Sequence, residues 1–579
     1  MYEDLLKKIY WAKDANEVHE IVSNNEFLSN PDNWKPYGGN KNNFGTFENQ
    51  QANSVAALVE KLTNSIDAIL IKECLILGLN PKDIKNPNLP NNMQEAISNF
   101  FNIKYGKWEN ANQKLRREIA ENVQLIVDGD KINPNITIYD NGEGQNPENF
   151  EDTFLSLQRG NKTDIPFVQG KYNMGSTGAV VFCGGHRYQL IISKRNTKLK
   201  DSNNKIGFTL VRRHILSDQE EKQMKSTWYE YFVIGDTIPS FEFESIDLGL
   251  FRRDFEEGSV IKMYSYELPR GLQTDATWDL WRELNTLLYE ASVPILIYEK
   301  RFVKSHSQSK LMLGNKTRIQ NDENDKKQHI ISYAITNNEL IGENVPIEVA
   351  IFKPDVSNKE FIRQKSIIFT LNGQTQGYET RTFITQELGY RALRESMLIN
   401  IDCTNMRTRF RQDLFMASRD RMKQGNNYAT LKQEIIDILK NDDNLRRINQ
   451  EYKSRVLHES KEDKELIEKL FSNLKGNKEI KNILKSNNGE FAFLKKKVNQ
   501  KKEVNNKKEE TKKILNRFPS YFKVEGLHSD GNGKIVKAIP LGGKGSIVFG
   551  TDVENEYFAR NIEKGDLTIT LLDFDEQNN

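Results

Sequence analysis

Cysteine is nearly absent. Only Cys74, Cys183 and Cys403 occur in 579 residues, far apart, which argues against a disulfide framework and points to a cytoplasmic protein. Cys183 and His186 have a ligand-like spacing, but no second pair accompanies them, so zinc is not expected. Long apolar runs are missing too. The longest, such as SVPILIY at 292–298, are far too short to span a bilayer, and no membrane partner is expected. The N-terminal stretch MYEDLLKKIYWAKDANE is acidic and amphipathic, unlike a secretory signal. Neither sign of charge dominates: 83 Lys+Arg against 81 Asp+Glu leave +2, so any charged partner is a matter of local distribution. The phosphate loop G-x-x-x-x-G-K-S/T is absent, as is a βαβ dinucleotide pattern. The rest is ordinary for a soluble globular chain, with 28% charged and 37% hydrophobic residues. The length allows about three or four domains.

Against this background LVEKLTNSIDAIL, residues 58–70, stands out. Leu58, Leu62, Ile66 and Ile69 recur at helical spacing and predict a buried face. Glu60, Asn64 and Asp67 fall within an arc of roughly 60° on the same helix. Alone, such a triplet is also what a solvated helix face carries; alternatively it is a row that holds a hydrated cation and an attacking water. The helix is expected over 55–78, stopping at Gly78 with Pro81 beyond. The Asn-, Gly- and Pro-rich stretch before it, 30–54, reads either as a lead-in loop or as a strap that reaches a partner subunit.

Downstream, NITIYDNGEG predicts a strand ending at Asp140, then a sharp turn through Gly142 and Gly144. A carboxylate there, beside glycines that admit a flat ligand, suits an adenine amino group and repels the carbonyl oxygen of guanine. An ordinary Asp/Gly turn has the same sequence. Gly170, Gly175 and Gly178 then punctuate a loop, and Ala179–Phe182 is expected to open a helix whose N–H groups face phosphate. Arg159, Lys162 and Lys171 add charge. Residues 186–265 alternate polar and apolar in short strands, an antiparallel sheet with helices on one face; Ser259 stands at the start of one strand.

In this order the pieces resemble the GHKL ATPase superfamily of gyrase, the heat-shock chaperone, histidine kinases and MutL. The carriers are Glu60-Lys-Leu-Thr-Asn64-Ser65-Ile-Asp67-Ala68 for ExxxNSxDA, Asp140-x-Gly142-x-Gly144 for DxGxG, Gly170, Gly175 and Gly178 for the lid, and Gly258-Ser259 for the last motif. The resemblance implies an α+β chain: a Bergerat-type ATP-binding α/β sandwich, its mixed sheet covered by helices, at 55–265 after N-terminal helices and an arm or strap (1–54). It also implies ATP and Mg²⁺ as ligands. Glu60 would be the general base, Asn64 the magnesium ligand, and Asp67 and Ser65 supports. Asp140 would read adenine with Gly142, Gly144 and Ser259. Gly170, Lys171, Gly175, Ser176, Thr177 and Gly178 would surround the phosphates.

Beyond this lies a transducer-like α+β module (266–425) that is expected to begin with the helix TWDLWRELNTLLYEASVPILIYEK. Its loop Gly373-Gln374-Thr375-Gln376 is similar to a gyrase loop but carries Gln376 where a phosphate-sensing lysine is expected; Arg381 or an arginine of 407–421 is a candidate replacement. Arg407, Arg409, Arg411, Arg419 and Arg421 suit a salt-bridged helix, a nucleic-acid surface or an ATP sensor. A charged helical region or linker (426–515) and a small β-rich domain (516–579) follow. The layout resembles the MutL, MORC and type IIB topoisomerase branch, with no topoisomerase tyrosine domain or MutL endonuclease motif. It implies a slow ATPase acting as an ATP-dependent homodimeric clamp in DNA-linked work, such as antiviral (anti-phage) defence with a partner effector. Alternatives are a chaperone-like clamp for protein clients and a non-catalytic nucleotide-gated scaffold. A histidine kinase needs a phosphoacceptor, and His19 is the only histidine upstream of the helix.

Overall fold

Ten short strands of mostly apolar sequence pair into one large sheet. They are β1 (Trp34–Pro36), β2 (Val123–Gly129), β3 (Pro134–Asp140), β4 (Gln189–Lys194), β5 (Lys205–Arg213), β6 (Tyr229–Phe232), β7 (Ser240–Glu242), β8 (Gly258–Met263), β9 (Ile295–Glu299) and β10 (Ser309–Met312). The order is β1-β6-β5-β4-β8-β3-β2-β9-β10, with β7 pairing β5 off this path. All neighbours are antiparallel except β2 and β9, which run parallel. The chain is thus α+β, built on a mixed sheet. This computed structural model describes residues 1–157, 162, 164–170, 177–224, 226–302, 308–416 and 422–455, and short pieces between 517 and 566.

The helix Ser54–Ile76 packs on one face of this sheet. Asn53 caps its start by accepting from the N–H groups of Val55 and Ala56. Its end is set by Gly78 at φ +75, where the N–H of Leu79 reaches the carbonyl of Cys74. Leu58, Leu62, Ile66 and Ile69 are all buried, as the spacing predicts. Each side chain of this size contributes roughly 1.5–3 kcal/mol when fully buried. The other face of the sheet is covered too, by the N-terminal helices Tyr2–Tyr10 and Ala15–Asn24, whose Leu6, Ile9 and Val18 join Leu190, Ile192 and Phe208. The arm at 30–54 lies on its own sheet: β1 extends the edge beside β6, and the Asn43 amide exchanges two hydrogen bonds with the Tyr229 backbone.

Two local expectations are corrected. The stretch TWDLWRELNTLLYEASVPILIYEK is helical only over Ala276–Leu287. Pro294 and the β-branched residues around it leave the helix, and ILIYE becomes β9, so the large sheet extends past residue 265. Ala179–Phe182 does not open a helix either. Val180–Phe182 is a single 3-10 turn, ended by Gly184 at φ +58.

A second sheet holds β11 (Lys327–Asn338), β12 (Gly342–Phe352), β13 (Ile367–Leu371), β14 (Gln374–Glu379) and β15 (Met397–Asp402), in the order β11-β12-β15-β13-β14. β13 and β15 are parallel. The helix Asn426–Lys440 packs on this sheet through Leu431, Ile435 and Leu439. All of this lies in the compact unit Met1–Glu462; Asp463–Asn579 is a second unit. Among its described residues are two antiparallel strand pairs, Phe522–Glu525 with Val548–Thr551 and His528–Ser529 with Ile535–Val536. The charged tract at 495–513 lies outside the described residues.

One glycine fixes the junction of β8 and β3. Gly258 sits at φ +95, and a Cβ there would lie 2.0 Å from the Asp140 carbonyl oxygen. Gly39, at φ +70, has nothing within 4 Å. Gly39→Ala should therefore cost only the backbone strain, about 1 kcal/mol. Gly258→Ala should lower the unfolding free energy by at least ~2–3 kcal/mol. Urea unfolding of the two variants measures the gap; equal losses would contradict the close approach.

Candidate functional site

The turn after β3 is stitched to the long helix. The Glu143 N–H donates to the Ala68 carbonyl at 3.1 Å, and Lys72 Nζ donates to the Asn141 carbonyl at 2.8 Å. Gly142 lies so close that a Cβ would meet the Ala68 methyl at 2.5 Å. Asn141 N–H is held by the Asn122 carbonyl at 2.8 Å. Short local order therefore fixes where Asp140 points.

Asp140 is 6% exposed. Its carboxylate accepts from the Gly142 N–H at 3.1 Å, and the Ser65 hydroxyl lies near enough to favour its ionised form. Burial pushes its pKa up to about 7, against the pull of Ser65, the Gly142 N–H and Lys162. Ser259, its register partner on β8, shares a 3.0 Å hydrogen bond with Ser193, whose hydroxyl also reaches the Gly258 carbonyl at 2.9 Å.

These groups border a cavity of about 480 Å³. Asn64, Ser65 and Ala68 come from the helix, Asp140 and Gly144 from the turn, and Ser259 from β8. Ile71, Ile165, Ile191 and Ile261 supply apolar wall. At the rim, Arg195 pairs Glu143 at 2.8 Å and Asp201 at 2.9 Å. A flat ring with an exocyclic amino group meets here an acceptor, two hydroxyls and aliphatic faces, the usual makeup of a small-molecule site.

The polar stripe of the helix is divided. Asn64 lines the cavity, whereas Glu60 and Asp67 do not appear on its wall among the described residues. Glu60, 5% exposed, accepts from Gln374 Nε2 at 2.8 Å, across 314 residues. Asp67 is fully buried and accepts from the Gln169 N–H at 2.7 Å, from the Gly170 N–H at 3.2 Å and from Lys162 at 3.4 Å. Burial raises its pKa, while Lys162 and the two N–H groups oppose the rise. Asp67 is thus an anchor for the start of the loop at 170, not a cavity group.

Thr177 donates to the Gln50 side chain at 2.6 Å, and Gly178 abuts Gln50 and Gln51; neither lines the cavity. Arg159, Lys171, Gly175, Ser176, Arg419 and Arg421 lie outside the described residues. Arg381 pairs with Glu395 and does not line the cavity. Arg411 is buried and donates to the Thr404 carbonyl at 2.9 Å, while Arg407 and Arg409 are exposed.

Several residues escaped the sequence reading. Gln169 donates to the carbonyls of Glu290 and Asn372 at 2.7 and 2.8 Å, tying the loop to the turn before β14. Among the described residues Gln376, placed by resemblance as the sensor position, reaches the Gln374 carbonyl at 3.4 Å, while Gln374 touches Glu60. Lys61 lines the cavity and is 4% exposed. A lysine within a helix otherwise buried on that side was the available signal.

Asp140 has a folded pKa near 7, above its unfolded value of roughly 4. The native state therefore holds a proton that the unfolded chain has released between about pH 4 and 7, and stability falls as pH rises through this window. Asp140→Asn removes the titration. Relative to wild type, the variant should gain stability from pH 4 to 7, up to about 4 kcal/mol, then run parallel. Melting curves across pH test this; parallel profiles throughout would contradict it.

No protein-family model and no curated protein sequence matches the chain.

Proposed function

We propose that the cavity binds ATP and that the chain is a Mg²⁺-dependent ATPase of the GHKL type, its large sheet and covering helices forming a Bergerat-type layout. The observation that carries this reading is the buried Asp140 carboxylate, held at a strand end by the Gly142 N–H, on a cavity that Ser65 and Asn64 also line. An ionised Asp140 accepts from the adenine amino group, and Ser65 and Ser259 supply hydroxyls beside it. The ring then lies between Ala68 and the isoleucine walls.

Asn64 fits the metal role. Its side chain makes no hydrogen bond among the described residues, and magnesium takes few protein ligands when phosphates and water supply the rest. When bound, the ion neutralises charge that develops on the phosphates. Glu60 lies one helical turn from Asn64, off the cavity wall in this conformation, and would take the water proton as general base once it turns toward the cavity. The Gln374 amide positions its carboxylate in the present conformation. Since Gln374 opens a strand of the second sheet, any shift of that sheet re-aims Glu60. This is the link through which nucleotide state would reach the rest of the unit.

The resemblance extends the reading to an ATP-gated homodimeric clamp in DNA-linked work, with a partner effector in anti-phage defence. Duplex DNA added to the turnover assay separates this from a clamp for protein clients, which needs none. The first test is Glu60→Ala. It should keep ATP affinity within about threefold and lose turnover by roughly 10²–10⁴, accumulating as a closed dimer with ATP and Mg²⁺. Binding, phosphate release and sedimentation measure the three. Unchanged turnover would sink the role of Glu60, and a monomer under every condition would sink the clamp.

A further inference from the structure

Among the described residues, the cavity holds one buried cation for which the site so far gives no use. Lys61 follows Glu60 on the long helix and lies one turn before Ser65, on the side that faces the cavity. It is 4% exposed. Among the described residues it makes no hydrogen bond and no ion pair. Its one electrostatic neighbour of note is the Cys183 thiol, which burial keeps neutral by pushing its pKa up. The other cations on the cavity wall differ. Lys162 is paired with Asp67 at 3.4 Å, Arg195 with Glu143 and Asp201, and Lys82 is exposed. Burial pulls the Lys61 pKa down to about 8, the mark of an ammonium without a counter-charge.

An ammonium in that position is costly to the fold, because it gives up water and gains no partner. A neutral side chain of similar length would pack there at lower cost. The missing partner is an anion, and the cavity is where an anion can arrive. We propose that Lys61 is the cationic contact for the phosphate chain of the nucleotide, reaching it from the same helix that presents Asn64. This rests on the nucleotide reading above. The start of β14, Gln374–Gln376, is uncharged and brings no cation to the cavity, so among the described residues the helix itself supplies the unpaired charge.

The test compares wild type, Lys61→Met and Lys61→Arg by calorimetric titration with adenosine, AMP, ADP, ATP and inorganic tripolyphosphate. Wild type should gain affinity along the series from adenosine to ATP. Lys61→Met should bind adenosine within about twofold of wild type but ATP at least roughly tenfold more weakly. Lys61→Arg should recover most of that loss. The Met variant should melt no lower than wild type, since an apolar chain replaces an uncompensated charge; this separates lost contact from lost fold. Equal ATP affinity in wild type and Lys61→Met would overturn the proposal, and so would parallel losses of adenosine and ATP. If wild type binds tripolyphosphate through Lys61 but no adenine compound, the anion contact stands and the nucleotide reading falls. If it binds none of the series, both fall.

Discussion

Everything at the cavity depends on burying one carboxylate between a helix and a strand end. Asp140 closes β3, and the turn that follows is fastened to the long helix at Ala68 and Lys72. The fastening leaves no room for a side chain at Gly142, and little choice of conformation at Gly258. In return, the Asp140 oxygens are fixed within reach of Ser65 and of the cavity. The fold carries this group at a cost, since burial moves the pKa toward neutrality. A site that stabilised the protein alone would hold an amide or an apolar group there.

A second dependency runs from this helix to the other sheet. Glu60 is held by Gln374, Asp67 holds the loop at 169–170, and Gln169 bridges that loop to the turn before β14. Three buried polar contacts thus meet where the long helix, the loop and the second sheet come together. Buried networks of this kind are rigid when satisfied and shift as units when one member changes partner. On the proposed reading, phosphate at the cavity competes for some of these members. The second sheet is then the element that moves.

Much of this was legible in sequence because it is local. Apolar spacing located the long helix, Gly78 its end, and alternation the strand that stops at Asp140. The parts that were hidden are those that need tertiary geometry. Helical spacing shows that Glu60, Asn64 and Asp67 share an arc, but not that the cavity faces the neighbouring arc of Lys61, Ser65 and Ala68. The partner of Glu60 lies 314 residues away, beyond any local pattern. The apolar run of ILIYE continues that of the preceding helix; only pairing with β2 makes it a strand. The small and apolar residues at Val180–Phe182 suit a helix start and a single 3-10 turn equally, and the fold takes the turn.

The most direct measurement is calorimetric titration of Mg-ATP and Mg-GTP into wild type and Asp140→Asn. The account predicts that wild type binds ATP well ahead of GTP, because an ionised Asp140 accepts from the adenine amino group and repels the guanine carbonyl. It predicts that Asp140→Asn loses at least roughly tenfold in ATP affinity, as removal of a charge-assisted hydrogen bond requires. Equal affinity for ATP in the two proteins, or no preference for ATP over GTP in wild type, would contradict it.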